Sequence, residues 1–221
     1  MKPSEERDAA AIQAILARLV RYDDQSIVHD RWIRQRYEGR YAASYVPART
    51  AAVSTAWHEA GHAVAALAVG ARFSSASIRS GRDSAGRVHA VSGGGALAFV
   101  IDAAGQMAEF LRDWSLPGSD GELRAWLAGW NRDGGDARRF RRAVAARSGP
   151  DGSFAGSGAE CAAWRHSEQV LTPLRPAIRQ VARALLVHPR PLPYQVTAAI
   201  AGPCRVPGRM SDPPATMGPG T

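Results

Sequence analysis

The segment Trp57-His58-Glu59-Ala60-Gly61-His62-Ala63 lies inside an otherwise apolar run, and no other feature constrains the chain as much. Residues 54–69 read as one helix. Ser54 or Thr55 offers a cap, Ala, Val and Leu fill the interior, and Gly70 stands just past the end. Positions four apart on a helix lie about 40° apart on one face. His58 and His62 can therefore aim one imidazole nitrogen each at a common point, as a tetrahedral zinc ion requires of its first two ligands. Glu59 projects about 100° round from His58, beside such an ion, where it can accept a proton from bound water. Gly61 costs the helix roughly 1 kcal/mol relative to Ala, so a neighbour is expected close to the backbone between the two histidines. Two histidines around a glutamate also arise by chance. Set into Ala-Val-Ala-Ala-Leu-Ala-Val, however, they would be stranded polar groups unless an ion and a cavity satisfied them.

At 221 residues the chain suits one domain with extensions and can bury a core without staples. Its formal charge is +8, carried almost entirely by Arg, with Lys2 the only lysine. A basic chain can bind nucleic acid. No zinc-finger spacing or single-strand-binding pattern accompanies the charge, so nucleic acid is not expected and the arginines read as solubilising. Cys161 and Cys204 form no CxxC, which argues against a disulfide framework. With no signal-type apolar core at the start and no run of about 18 apolar residues, a soluble, cytoplasmic protein without a membrane span is expected.

Residues 7–21 read as an amphipathic helix through Ile12, Ile15, Leu16, Leu19 and Val20. Residues 22–48 mix Trp32, Tyr37, Tyr41 and Tyr45 with Arg31, Arg34, Arg36 and Arg40. Together, residues 1–49 form a basic helical extension, read as an arm for a second copy or a partner protein. Residues 73–78 and 87–91 are short strand candidates around a turn-rich loop at 81–86. Gly93-Gly94-Gly95 would let backbone approach closely, but it lacks the features of a phosphate loop. Residues 96–114 form a second apolar helix, and acidic helix starts follow at Ser119-Asp120-Gly121-Glu122 and Gly134-Gly135-Asp136. Residues 148–158 read as a loop, and 159–186 as a helical stretch kinked or restarted at Pro173 and Pro176. Residues 194–201 form a closing helix, and 202–221 a Pro- and Gly-rich disordered tail.

On these residues the chain resembles a known family. His58-Glu59-Ala60-Gly61-His62-Ala63 is similar to the zinc helix in the peptidase domain of membrane-anchored, ATP-dependent zinc proteases of the FtsH type. Ala104-Gly105-Gln106-Met107-Ala108-Glu109 looks like that family's Ala-Gly-x-x-Ala-Glu helix, and residues 169–200 are similar to its last helices. The resemblance spans about residues 50–201. It implies a mainly α, zincin-like metallopeptidase domain with a small β element and the HExxH helix at its active site. Neither an ATPase module nor a membrane anchor accompanies it, so a stand-alone peptidase acting on unfolded, small or loop-presented substrates is expected.

The resemblance also implies a third zinc ligand, an Asp at the start of a later helix. Asp136 is preferred for its distance from the C-terminal helical pair, and Asp120 is the alternative, nearer Gly105. Either is equally an ordinary N-terminal helix acid. Glu109 is a weaker ligand candidate, better read as a carboxylate that holds a ligand. His29, His89, His166 and His188 stand at no ligand spacing; His89 and His166 are candidates to enter a cleft and stabilise an oxyanion.

These readings converge on a zinc endopeptidase: His58, His62 and Asp136 hold Zn2+, Glu59 is the general base, and an extended peptide adds beside residues 73–78 or 87–91. Two alternatives are an inactive zinc-binding scaffold and a basic nucleic-acid-associated regulator. The scaffold would have no chemical requirement for Glu59.

Overall fold

The computed structural model describes residues 1–18, 49–78, 86–89, 91–113, 115–130, 135–147, 158–188 and 190–204. Among them, helix α1 spans Pro3–Arg18 and α2 spans Arg49–Ala68. Strands β1 (Ser75–Ser77) and β2 (Arg87–His89) come next, and then a 3-10 turn at Gly95–Leu97 opens α3 (Ala98–Asp113). Helices α4 (Asp120–Gly129), α5 (Gly135–Arg147) and α6 (Ala159–Leu171) follow. A 3-10 turn at Thr172–Leu174 leads to α7 (Arg175–Val187), β3 (Leu192–Pro193) and α8 (Tyr194–Ala201). The described residues are mainly helical with one small sheet. No helix among the described residues is long and apolar enough to cross a membrane.

Helix α2 is the centre of the packing. Val53, Ala56, Trp57, Ala60, Ala63 and Val64 are all at most 1% exposed, which is how a helix apolar on nearly every side has to be placed. It packs against α3 and α7. Gly61 meets α3 backbone to backbone: a Cβ there would lie 2.3 Å from the Ala104 carbonyl oxygen and 2.7 Å from the Ala108 Cβ. The helix ends as expected. Gly70 takes φ 73°, and the Ala71 and Gly70 amides donate back to the Ala66 and Leu67 carbonyls, a left-handed C-terminal cap. Its start differs from expectation. The helix begins at Arg49, so Ser54 and Thr55 lie inside it and cap nothing.

Helix α3 buries Phe99, Val100, Ala103, Ala104, Met107, Ala108 and Leu111, a stripe at helical spacing. Arg175 Nε donates to the Leu111 carbonyl at 2.7 Å, serving one of the carbonyls that a helix end leaves without a partner. Phe110, Trp126, Trp130, Phe140 and Trp164 form a block with ring centroids 4.7–6.2 Å apart. It joins α3, α4, α5 and α6, and it fixes where the first turn of α5 stands. Ser119 and Glu122 close a reciprocal capping box on α4. The restart at Pro173 and Pro176 divides α6 from α7 as the sequence implied.

The sheet has the order β2-β1-β3, antiparallel throughout. Ala76 pairs with Val88 on one side and with Leu192 on the other. Strand β3 was not expected, because residues 188–193 read as a break; two paired residues are too few to leave a periodic signal. Its presence corrects one expectation. β1 is the central strand, paired with β2 along Ser75–Ser77 and with β3 at Ser75 and Ala76, so a peptide adding beside that stretch would have to displace β3. The observed strands are also shorter than the expected 73–78 and 87–91.

Helix α1 begins earlier than the expected residue 7, residues 19–21 of that expectation lie outside the described residues, and Ala9, Ile12 and Leu16 join the common core. It lies against α7 and α8, where Gln13 donates to the Ala199 carbonyl at 3.2 Å. The expectations for residues 22–48, the loop at 81–86, the loop at 148–158 and the tail beyond 204 lie wholly or almost wholly outside the described residues. Cys161 and Cys204 are both buried and free.

Gly61→Ala tests the central contact. Helix propensity alone would stabilise the variant by roughly 1 kcal/mol. Because the obstacle is backbone, overpacking of about 1–3 kcal/mol or more should prevail. Denaturant unfolding is therefore expected to show a net loss of stability, and a gain would contradict the close approach.

Candidate metal centre

Helix α2 carries His58 and His62 one turn apart, with ring centroids 4.8 Å apart and planes at 76°. Each ring is held from behind by α3. His62 Nδ1 lies 2.7 Å from the Ile101 carbonyl, which only accepts, so Nδ1 carries the hydrogen and Nε2 keeps its lone pair. His58 Nδ1 donates to Glu109 Oε1 at 2.8 Å, and the Ser54 hydroxyl donates to Glu109 Oε2. Burial pushes the Glu109 carboxyl up, but the hydrogen bonds from His58 and Ser54 outweigh it and hold the group below the usual glutamate range. Glu109 thus orients a histidine, on the side away from the converging nitrogens.

The first turn of α5 supplies the third group. Asp136 Oδ2 lies 2.9 Å from His58 Nε2 and 3.3 Å from His62 Nε2, and the two Nε2 atoms are 3.2 Å apart. A tetrahedral ion with bonds of about 2.0–2.1 Å holds its ligand atoms about 3.3–3.4 Å apart. The triangle of donors fits a divalent metal closely, and it is the group of potential ligands that the described residues bring together. Asp136 stands at a helix N-terminus, where a negative charge is favoured. Burial would raise its pKa, but hydrogen bonds with His58 and His62 prevail and keep it well below the carboxylate range.

Burial disfavours a charged His58, yet the hydrogen bonds to Asp136 and Glu109 win and push its pKa up to about 10. A metal entering the triangle has to compete with protonation of His58. Glu59, at 6% exposure, lies beside the triangle. Burial raises its pKa against the opposing pull of His62 and His58, and the Val88 backbone amide donates to it. A carboxylate tuned upward in this way is suited to taking a proton and giving it back.

Two glycines make the space. A Cβ at Gly105 would fall 2.5 Å from His58 Nε2 and 2.6 Å from His62 Nε2, and one at Gly86 would fall 2.8 Å from Glu59 Oε1. Any side chain at Gly105 would occupy the point where the imidazoles converge. The cleft in front has a volume of about 1010 Å³. Val88, Val91, Ala98 and Ile101 give it apolar surface, and Gly86, Arg87 and Val88 turn the β2 edge toward it.

Asp120 is not part of this cluster; its carboxylate is exposed and pairs with Arg165 at 3.2 Å. His166 packs on Phe99, and neither it nor His89 is among the residues lining the cleft. His188 bonds the Arg190 carbonyl, and His29 lies outside the described residues. Sequence reasoning missed Arg139, which donates to Asp136 from behind, and Asp102, which accepts from Arg139 in turn. A signal was present: Asp102, Gly105 and Glu109 form a non-apolar stripe at i, i+3 and i+7 on an apolar helix.

The family model described as Peptidase M50B-like matches residues 40–111, about a third of the chain. The match takes in His58, Glu59, His62, Gly105 and Glu109 and stops short of Asp136. It supports a metallopeptidase domain, under a description other than FtsH-type. No curated protein and no solved structure matches the chain.

Proposed function

We propose that the protein is a zinc-dependent endopeptidase in which His58, His62 and Asp136 hold the ion and Glu59 is the general base. The observation that carries this reading is the convergence of two imidazole nitrogens and one carboxylate oxygen within 3.3 Å of one another, beside a buried glutamate. The donor chemistry, two neutral imidazoles and a carboxylate, is that of catalytic zinc. A bound ion supplies a Lewis acid for the scissile carbonyl and makes an attacking water acidic near neutral pH.

The chain's own residues do the rest. Glu59 accepts the proton of the attacking water and returns it to the leaving amine. Burial raises its pKa, which favours its taking up the proton. The Val88 amide holds the carboxylate in place while leaving its other lone pairs available. An extended peptide lies along β2, since β1 is the central strand with a partner on each side; backbone hydrogen bonds then bind with little sequence preference. Unfolded or loop-presented polypeptide is the substrate this implies.

Glu59→Gln should keep stoichiometric metal yet lose about 100-fold or more in turnover of casein or a peptide library, read by metal analysis beside the cleavage assay. Unchanged cleavage would remove Glu59 from the mechanism. Zinc added to chelator-stripped protein at neutral pH should release about one proton per ion, the one carried by His58. Affinity should accordingly rise with pH, by up to about tenfold per unit while that proton is being displaced. Calorimetry in buffers of different ionisation enthalpy counts the proton, and zinc uptake without release would contradict the assigned site.

A further inference from the structure

Asp136 presents one oxygen to the imidazoles and the other to Arg139. Oδ2 faces His58 and His62, while Oδ1 accepts from Arg139 NH2. A carboxylate with one oxygen so held cannot rotate freely, and the second oxygen stays aimed at the histidines. Arg139 sits one turn beyond Asp136 on α5, so by itself it fixes the carboxylate only relative to its own helix. The outside reference is Asp102 on α3, whose side chain is 16% exposed and accepts from Arg139 Nε at 3.0 Å. α3 also provides Glu109 and the Ile101 carbonyl, the groups that orient His58 and His62. All three donors are thereby referred to one helix.

We propose that Asp102 and Arg139 are positioning residues for metal binding, acting in series to aim Asp136 at the ion. This rests on the reading of Asp136 as a ligand. The pair's contribution to stability should be small, because the Arg139 side chain is 55% exposed and ion pairs of that kind are screened by water. Its contribution to metal affinity should be large, because groups that hold ligands typically affect affinity by about 10- to 100-fold. Lysine is a poor substitute, since a single ammonium cannot present two donors in a fork to two carboxylates.

The experiment uses the full chain, with Zn2+ affinity measured by competition against a chromogenic chelator and the Co2+ form followed by its visible absorption. Arg139→Ala and Asp102→Asn should each weaken zinc binding by about 10- to 100-fold and alter the cobalt spectrum. The metal-free unfolding midpoints should stay close to wild type. Because Asp102 acts through Arg139, the double variant should bind no more weakly than Arg139→Ala alone. Arg139→Lys should recover only part of the loss. Zinc affinities within about twofold of wild type, or effects that simply add in the double variant, overturn the inference and leave the metal reading standing. A wild-type protein that takes up no zinc overturns both.

Discussion

The close approach of α2 and α3 is the constraint on which the rest depends. Gly61 removes the one side chain that would hold the helices apart, and the Ala104 carbonyl occupies the gap. At that separation the α3 groups behind each imidazole come within hydrogen-bonding reach. The Ile101 carbonyl fixes the Nδ1–H tautomer of His62 and Glu109 that of His58, so both Nε2 atoms face forward. Gly105 continues the same logic half a turn further on, leaving open the point at which those nitrogens converge. A small residue on each helix does more for the site here than any single polar contact, because hydrogen bonds of 2.7–2.8 Å tolerate little change in helix spacing.

The electrostatics follow from that geometry. Glu59, Asp102, Glu109 and Asp136 gather around two imidazoles, and Arg139 is the guanidinium paired within the group. In a protein whose net charge is +8, this is a local excess of acid in a basic molecule. The carboxylates are not alike. Glu109 and Asp136 are held ionised by their histidine partners, and burial keeps Glu59 closer to accepting a proton. Environment thus separates fixed anions from a labile one, which is how one residue type can both hold and transfer charge.

What the sequence made legible was local. His58, Glu59 and His62 share one turn, so their relation follows from helix geometry alone, and Gly61 announced a close neighbour without saying which. The mainly helical architecture, the apolar face of α3, the break at Pro173 and Pro176 and the closing helix were readable from periodicity and proline chemistry. What failed depended on tertiary contact. Ser54 resembled a cap because its hydroxyl type suits one, but its partner lies 55 residues away on another helix. β3 exists only because β1 is beside it, and its presence closes an edge that β1 alone would have offered to substrate. Sequence spacing left Asp136 and Asp120 nearly equivalent as helix-start acids, and only the packing of α5 on α3 distinguishes where they stand.

The placement of the donors on separate helices has a mechanical consequence. α2 and α5 both pack on α3, and the triangle of His58, His62 and Asp136 is where they reach one another directly. An ion seated there would act as a rivet between two helices that otherwise communicate through a third. Its binding free energy would then count toward the rigidity of the fold as well as toward chemistry, and the emptied protein would differ from the filled one first in how tightly α5 is tethered.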